Sequence, residues 1–332
     1  MSPMVNFNVG EEPVGPPTAW VRVVRTGLQL LDTPTLLLGL TLVVFFVGVS
    51  VDAVTTFGPH LDTMYTRLSW ATGAYPPGPS ATHPFGVMDT LGVDEATALF
   101  QATPFDVALV TGITLPAALI GLVLGSAAGA GNRLAAGLVI TGGDLLLSIP
   151  APFLVILIFL SLSRFLYPSE YLWVFGVAFV AILWPYHARV VRQRAVIVSQ
   201  ENYVEAARAA GASRAWVVRR HILPNSFTPI LAQIPVDVAS VFFVLTAFPY
   251  AACLGGGGVG SAFSIASPLP SRNFPEWGWL AANGACYGYS PVFAADFWWM
   301  FLFPIMMIAL FSGTVMLLCD GLDRFVTQNV RQ

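Results

Sequence analysis

The residues from Glu201 to Asn225 read ENYVEAARAAGASRAWVVRRHILPN, a polar, arginine-rich stretch set between apolar runs. Its side chains suit recognition better than catalysis. Glu205 and Arg208 stand one helical turn apart and can pair with each other or with a second protein. Ala206, Ala207, Ala209 and Ala210 carry so little bulk that another surface can approach closely. Gly211 can end a first helix in the left-handed conformation that other residues resist. Ser199 is the expected cap of that helix and Ser213 the cap of a second, which should stop near Leu223 because Pro224 follows. A solvated basic loop or an amphipathic helix lying on lipid would account for the charge. Neither needs small residues, a hinge glycine and a proline stop in this order.

Other residues that could do chemistry are few. Asp144 and Asp237 are ionisable groups within apolar segments, where such groups are functional candidates by default. Asp144 stands near a helix end, so a structural role is equally open. Asp237 can line a pathway or pair with a polar group of a partner subunit. His83, Asp89 and Asp94 lack tight ligand spacing, as do Cys253, Cys286 and Cys319, so no metal site is expected. Gly-x-Ser-x-Gly and His-Glu-x-x-His are absent, which leaves an intramembrane hydrolase without its machinery.

Composition sets the frame for these residues. The chain has 332 residues, 56% hydrophobic and only 10% charged, against about 25% charged in a soluble domain, and so reads as an integral membrane protein. Every positive charge is an arginine. Without lysine there is no P-loop of the usual kind and no Schiff base. Spans need roughly 20 mainly apolar residues, and six segments qualify: 35–51, 105–130, 135–162, 171–188, 228–250 and 296–319. The third should be broken by Gly142, Gly143, Asp144, Pro150 and Pro152.

Arginine placement orients the spans. With the N-terminus inside, the cytoplasmic side receives Arg22, Arg25, Arg133, the seven from Arg189 to Arg220, Arg324 and Arg331, whereas the opposite side receives Arg67, Arg164 and Arg272. Both termini and the polar loop are therefore expected in the cytoplasm. On this topology Cys253 and Cys286 share the outer side, where two free thiols are expected and a disulfide stays open. Trp20, Trp298 and Trp299 suit interfacial belts.

EAARAAG, followed after nine residues by HILPN, resembles the EAA signature of permease subunits of ABC importers. His221 in HILPN is similar to the dipeptide/oligopeptide/nickel branch. HPFGVMDTLGVD resembles the stretch that opens the core of the second, or C-type, permease of that branch, through His83, Pro84, Phe85, Gly86, Asp89, Gly92 and Asp94, with Val93 in place of an expected Arg. GGDLLLSIP resembles the family's Asp-to-Pro run through Asp144 and Pro150, with Thr141 in place of Arg. CLGGGGVGS and PEWGWL sit where the family has its glycine-rich turn and Pro-x-Trp-Gly; the acidic residue expected near Phe248 is absent.

The resemblance implies an all-α integral membrane protein with six transmembrane helices and a type I importer permease fold. It implies a permease subunit for peptides, with nickel, sugar or another solute as the alternative and an ATPase-independent channel as a distant one. It also implies coupling through Glu205, Ala206, Ala207, Arg208, Gly211, His221, Leu223, Pro224 and Asn225. The implied partners are two P-loop ATPase subunits, which would carry the ATP and Mg, a second homologous permease in a heterodimer, an extracytoplasmic solute-binding protein and the lipid bilayer. No nucleic-acid partner and no cofactor on this chain are expected. The corresponding organisation is a cytoplasmic tail (1–34), a first span with its outer loop (35–104), the core (105–319, with the EAA loop at 199–225) and a second cytoplasmic tail (320–332), in the plasma or inner membrane.

Overall fold

Apolar runs bounded by caps, prolines and glycines dictate long helices, and the computed structural model of the chain is built from them. It describes residues 33–57, 78–88, 93–162, 165, 171–254, 276–287 and 297–330. In chain order these form α1 (Pro34–Phe57), the two-residue strands β1 (Val87–Met88) and β2 (Val93–Asp94), and α2 (Glu95–Gly129). Then come α3 (Arg133–Gly137), a π-helical turn (Leu138–Gly142), α4 (Gly143–Leu147), α5 (Ala151–Leu162) and α6 (Tyr171–Ser199). The polar loop holds α7 (Asn202–Ala209), α8 (Arg214–Val217), a second π-helical turn (Val218–Ile222) and α9 (Leu223–Asn225). The chain continues through α10 (Thr228–Leu254) and α11 (Trp277–Tyr287) to α12 (Trp298–Val330). Five helices are long and apolar enough to cross a membrane, and the pair Arg133–Leu147 and Ala151–Ile158, bent by 83°, makes a sixth.

Several limits differ from those expected. The second span starts at Glu95, ten residues early, because the Asp94 carboxylate caps it, accepting from the Thr97 N–H at 2.9 Å, and the helix runs through Pro104. In the third span the chain stays helical through Gly142, the last residue of the π-helical turn, and through Gly143 and Asp144, which open α4. The break falls at Ser148–Pro150, so of the residues expected to break the span Pro150 stands at the break. The fourth span runs on to Ser199 and the last to Val330, where Arg324 pairs with Asp320 at 3.0 Å. The limits set at 104/105 and 319/320 thus fall inside helices. Cys253, Cys286, Asp89 and Trp20 have side chains outside the described residues.

The most extensive packing is between α2 and α6, and it depends on size. A Cβ added at Gly121 would lie 2.3 Å from the His187 Cβ, one at Gly125 2.6 Å from the Ala188 carbonyl, and one at Gly129 2.4 Å from the Ala195 Cβ. Contacts that climb together along both helices mean that α2 and α6 run in the same direction. The α1–α12 pair uses glycine with the opposite sense, since Gly39 meets Leu318 and Gly321 meets Leu36.

At the far end from the polar loop, α11 wedges between α2, α10 and α12. Its start is held by two buried carboxylates. Asp106 Oδ2 accepts from the Trp277 N–H at 2.9 Å and Glu276 Oε2 from the Gly278 N–H at 2.8 Å. The Trp277 indole, wholly buried, donates to the Leu99 carbonyl at 3.0 Å. Trp299 is not an interfacial anchor. It is 6% exposed, closes on Gly86 and donates to the Val87 carbonyl at 3.1 Å.

Overpacking costs about 1–3 kcal/mol, so Gly121→Ala and Gly125→Ala should each lower the melting temperature of the purified protein in mild detergent. Gly112→Ala, where an added Cβ meets nothing within 4 Å, should be neutral or slightly stabilising. Equal melting temperatures for all three would show that the helices do not depend on that approach.

A pH dependence follows from Glu276, which lies outside the spans. Burial pushes its carboxyl from the ordinary 4.5 up to about 8, against the pull of the Gly278 and Trp279 N–H groups. The folded state then keeps a proton that the unfolded state releases, so this group's contribution is fully present below 4.5 and is lost as pH rises to about 8. Relative to the base-catalysed intrinsic rate, amide exchange of Trp277–Tyr287 should accelerate over that window in the wild type and much less in Glu276→Gln. Acceleration of the same size in the variant would remove Glu276 as the cause.

Candidate functional site

The polar loop is carried on an extension of α6. Beyond the apolar part of that helix the buried row continues through Ala188, Val191, Ala195 and Val198, at the three- and four-residue spacing of one helix face. Arg189 and Arg194 lie on the exposed side. These arginines therefore belong to a helix, not to a loop. Ser199 is its last residue and donates to the Val196 carbonyl at 2.7 Å, so it does not cap α7. The cap position falls to Glu201, which makes no side-chain capping bond.

The end of α7 is as the glycine demands. Gly211 has φ +86°. Its N–H donates to the Arg208 carbonyl at 3.0 Å and the Ala212 N–H to the Ala207 carbonyl at 3.0 Å. These two bonds close the helix in a Schellman motif. Ser213 follows at once and caps α8, accepting from the Trp216 N–H at 3.3 Å. The second helix does not stop at Leu223. Its turns widen to the π form over Val218–Ile222, so that the Leu223 N–H reaches the Val218 carbonyl. Pro224, with no N–H to give, is then accepted at the start of α9, and the chain stays helical to Asn225.

Val204 of α7, Val217 of α8 and Ile222 of the π turn are buried against Ala195 and Val198 of α6. Arg214 donates to the Gly131 carbonyl at 3.3 Å, tying the loop to the end of α2. With those side chains turned inward, Glu205, Ala206, Arg208, Ala209, Ala210 and Gly211 face outward. Glu205 and Arg208 form no ion pair with each other among the described residues, and both charges stand exposed. His221 is half-buried between two rings, Tyr203 at 5.5 Å and Trp216 at 5.2 Å. Burial first, and the Glu201 charge second, raise the Tyr203 phenol above its ordinary value, while Arg194 opposes them. Asn225 donates to the His221 carbonyl at 2.7 Å. Leu223 packs beside Val191 and Ile230, and Pro224 is exposed.

Asp144 and Asp237 lie apart from this surface. Asp144 accepts from Arg189 at 2.5 Å, both half exposed, which joins α4 to α6. Asp237 is buried and meets His187 of α6. Neither a pathway position nor a partner subunit is needed to satisfy it. His187, Val204, Val217 and Ile222 were missed by motif reading. The spacing of Val191, Ala195 and Val198 was the signal for the helix extension on which three of them depend. Chemically, the loop offers no nucleophile paired with a base. It offers a small-residue surface edged with two acids, several arginines and two aromatic rings.

Residues 121–332 match the family described as binding-protein-dependent transport system inner membrane component. The chain is 31% identical over 244 residues to the probable D,D-dipeptide transport system permease protein DdpC of Escherichia coli K12, spanning 74% of this chain and 72% of that protein. It is 29% identical over 302 residues to a putative peptide transport system permease protein of Brucella suis, with 90% of each chain covered. To the dipeptide transport system permease protein DppC of Bacillus subtilis it is 26% identical over 257 residues, 76% of this chain and 71% of that one.

The buried anchors generate a prediction. Val204→Ala removes two buried carbons and should cost about 2 kcal/mol. Where cleavage samples an open loop, that equals about thirty-fold faster trypsin cutting at Arg208 and Arg214. Ser213→Ala should act in the same direction at about 1 kcal/mol. Cutting at the wild-type rate in both variants would mean that the cluster and the cap do not hold the loop.

Proposed function

Because the chain belongs to the family of binding-protein-dependent transport system inner membrane components, we propose that it is the permease subunit of an ATP-driven peptide importer whose loop between α6 and α10 receives the push of the ATPases. It is a transport subunit and not an enzyme. The observation that carries this reading is the construction of the loop. Two short helices, the first closed at Gly211, are sewn through Val204, Val217 and Ile222 onto the end of a spanning helix, and left bare at Ala206, Arg208 and Gly211. A solvated loop has no use for that architecture. A handle must be rigid beneath and accessible above.

The peptide class is supported by the relatives, whose names give D,D-dipeptide, peptide and dipeptide transport. In the proposed assembly two P-loop ATPases bind ATP and Mg, a second homologous permease completes a heterodimer, and a solute-binding protein delivers the peptide from outside. Both termini and the loop lie in the cytoplasm. That orientation is supported by the arginine bias; the parallel sense of α2 and α6 fits their places as the second and fourth spans. Glu205, Ala206, Ala207, Arg208 and Gly211 make the ATPase contact, with His221, Leu223, Pro224 and Asn225 shaping the second half. ATP binding moves the loop, and differential binding of solute in the inward and outward states makes the movement productive.

Purification of the chain from its native membrane in mild detergent, followed by mass spectrometry, is the direct test. Two ATPases, a second six-span subunit and a solute receptor should accompany the wild type, and the ATPases should be lost from Glu205→Arg. Gly211→Pro should insert normally yet import less peptide per ATP hydrolysed. A chain recovered alone under conditions that preserve other complexes would overturn the importer reading.

A further inference from the structure

The helices on either side of the loop each carry an interior proline, Pro185 in α6 and Pro235 in α10. A proline removes one N–H and crowds the carbonyl four residues earlier, so a helix bends most readily there. Two residues beyond each proline stands a polar side chain, His187 and Asp237, and the two meet. Nε2 of His187 lies 2.5 Å from Oδ2 of Asp237, with the side chains 0% and 1% exposed. The second carboxylate oxygen accepts from Gln233 Nε2 at 3.3 Å, reaching back across Pro235 on the same helix. On its other side the His187 Cβ lies against Gly121 of α2, which seats this residue at the closest approach of α6 to α2. At about 1.5 Å per residue the contact sits about 18 Å from the loop along α6 and about 14 Å along α10.

We propose that His187, Asp237 and Gln233 form a buried tie that makes the two proline hinges pivot together, so that movement of the loop tilts α6 and α10 as one unit. The inference rests on the docking role proposed above for the loop. Apolar contacts alone, such as Val191 with Ile230, allow two helices to slide, because one methyl serves nearly as well as the next. A hydrogen bond is directional and fixes axial register. Its partners are costly to leave unpaired away from water, so the tie stays closed while the helices tilt. His187 and Asp237 are accordingly positioning residues for transport. They touch neither solute nor nucleotide.

The test uses the complete transporter in proteoliposomes, with its partner permease, both ATPases and the binding protein purified with its endogenous solute. ATP hydrolysis is measured with and without that binding protein, and uptake of a radiolabelled mixture of short peptides is measured alongside. Basal hydrolysis belongs to the partner subunits and should persist in Asp237→Leu and His187→Leu. Stimulation by the binding protein, a signal that must cross both hinges, should fall at least about ten-fold. Asp237→Asn, which keeps an acceptor oxygen, should retain most of it, and Gln233→Leu should show a smaller loss in the same direction. Full stimulation in Asp237→Leu overturns the tie. So does a variant complex that is merely less stable, with an unchanged stimulation ratio in the surviving fraction. If the leucine variants fail to assemble, unchanged stimulation in Gln233→Leu overturns the proposal and a partial loss there supports it. A wild-type complex that lacks ATPases or binding-protein stimulation would defeat the importer reading instead. One that is stimulated yet imports no peptide would defeat only the peptide assignment.

Discussion

The contact of α2 with α6 governs the rest of the molecule. Three glycines at four-residue intervals, Gly121, Gly125 and Gly129, let two helix backbones meet where any side chain would collide. Within a bilayer apolar surface supplies little drive for helix association, because lipid tails are as apolar as leucine, so close packing must hold the pair together. Since α6 is also the helix that leaves the apolar zone and carries the polar loop, the loop's position is set by a contact far from it. The Arg214 bond to the Gly131 carbonyl closes the same pair at its lower end.

The opposite end is organised by different means. Buried indoles and carboxylates replace glycines there: Trp277 on Leu99, Trp299 on Val87, and Asp106 and Glu276 at the start of α11. The HPFG stretch takes its place in this arrangement. His83 meets Asp94 at 3.0 Å, the same carboxylate that caps α2, and Phe85 stacks on Phe303 with ring centres 4.5 Å apart. What read in one dimension as an outer loop is, among its described residues, a clasp that joins the start of α2 to α12.

Much of this was legible in the sequence, because bilayer-length apolar runs and helix punctuation act locally. Gly211 and Ser213 do what their residue types dictate. The errors share a cause. Ser199 and Pro224 were read by rules that consider only neighbours along the chain, whereas α6 continues past Ser199 for the burial of Ala195 and Val198, and a π turn accommodates Pro224. The pairing of His187 with Asp237 across fifty positions had no local signature. Nor did the role of Trp299, which resembled an interfacial residue until its burial against Gly86 was seen. The six spans depended on composition alone, and so their number was easier to read than their ends.

The smallness of the loop's helices has a consequence for biogenesis. Eight residues in α7 and four in α8 are too few to hold a helical shape unaided. They acquire it by burying Val204 and Val217 on α6, whose own placement awaits α2. The folded surface of the loop therefore exists only on a chain whose membrane helices have already found one another. A misassembled chain would present a limp strand of alanines and arginines in its place, and under the proposed docking role recruitment of partners becomes a checkpoint on folding that requires no separate inspector.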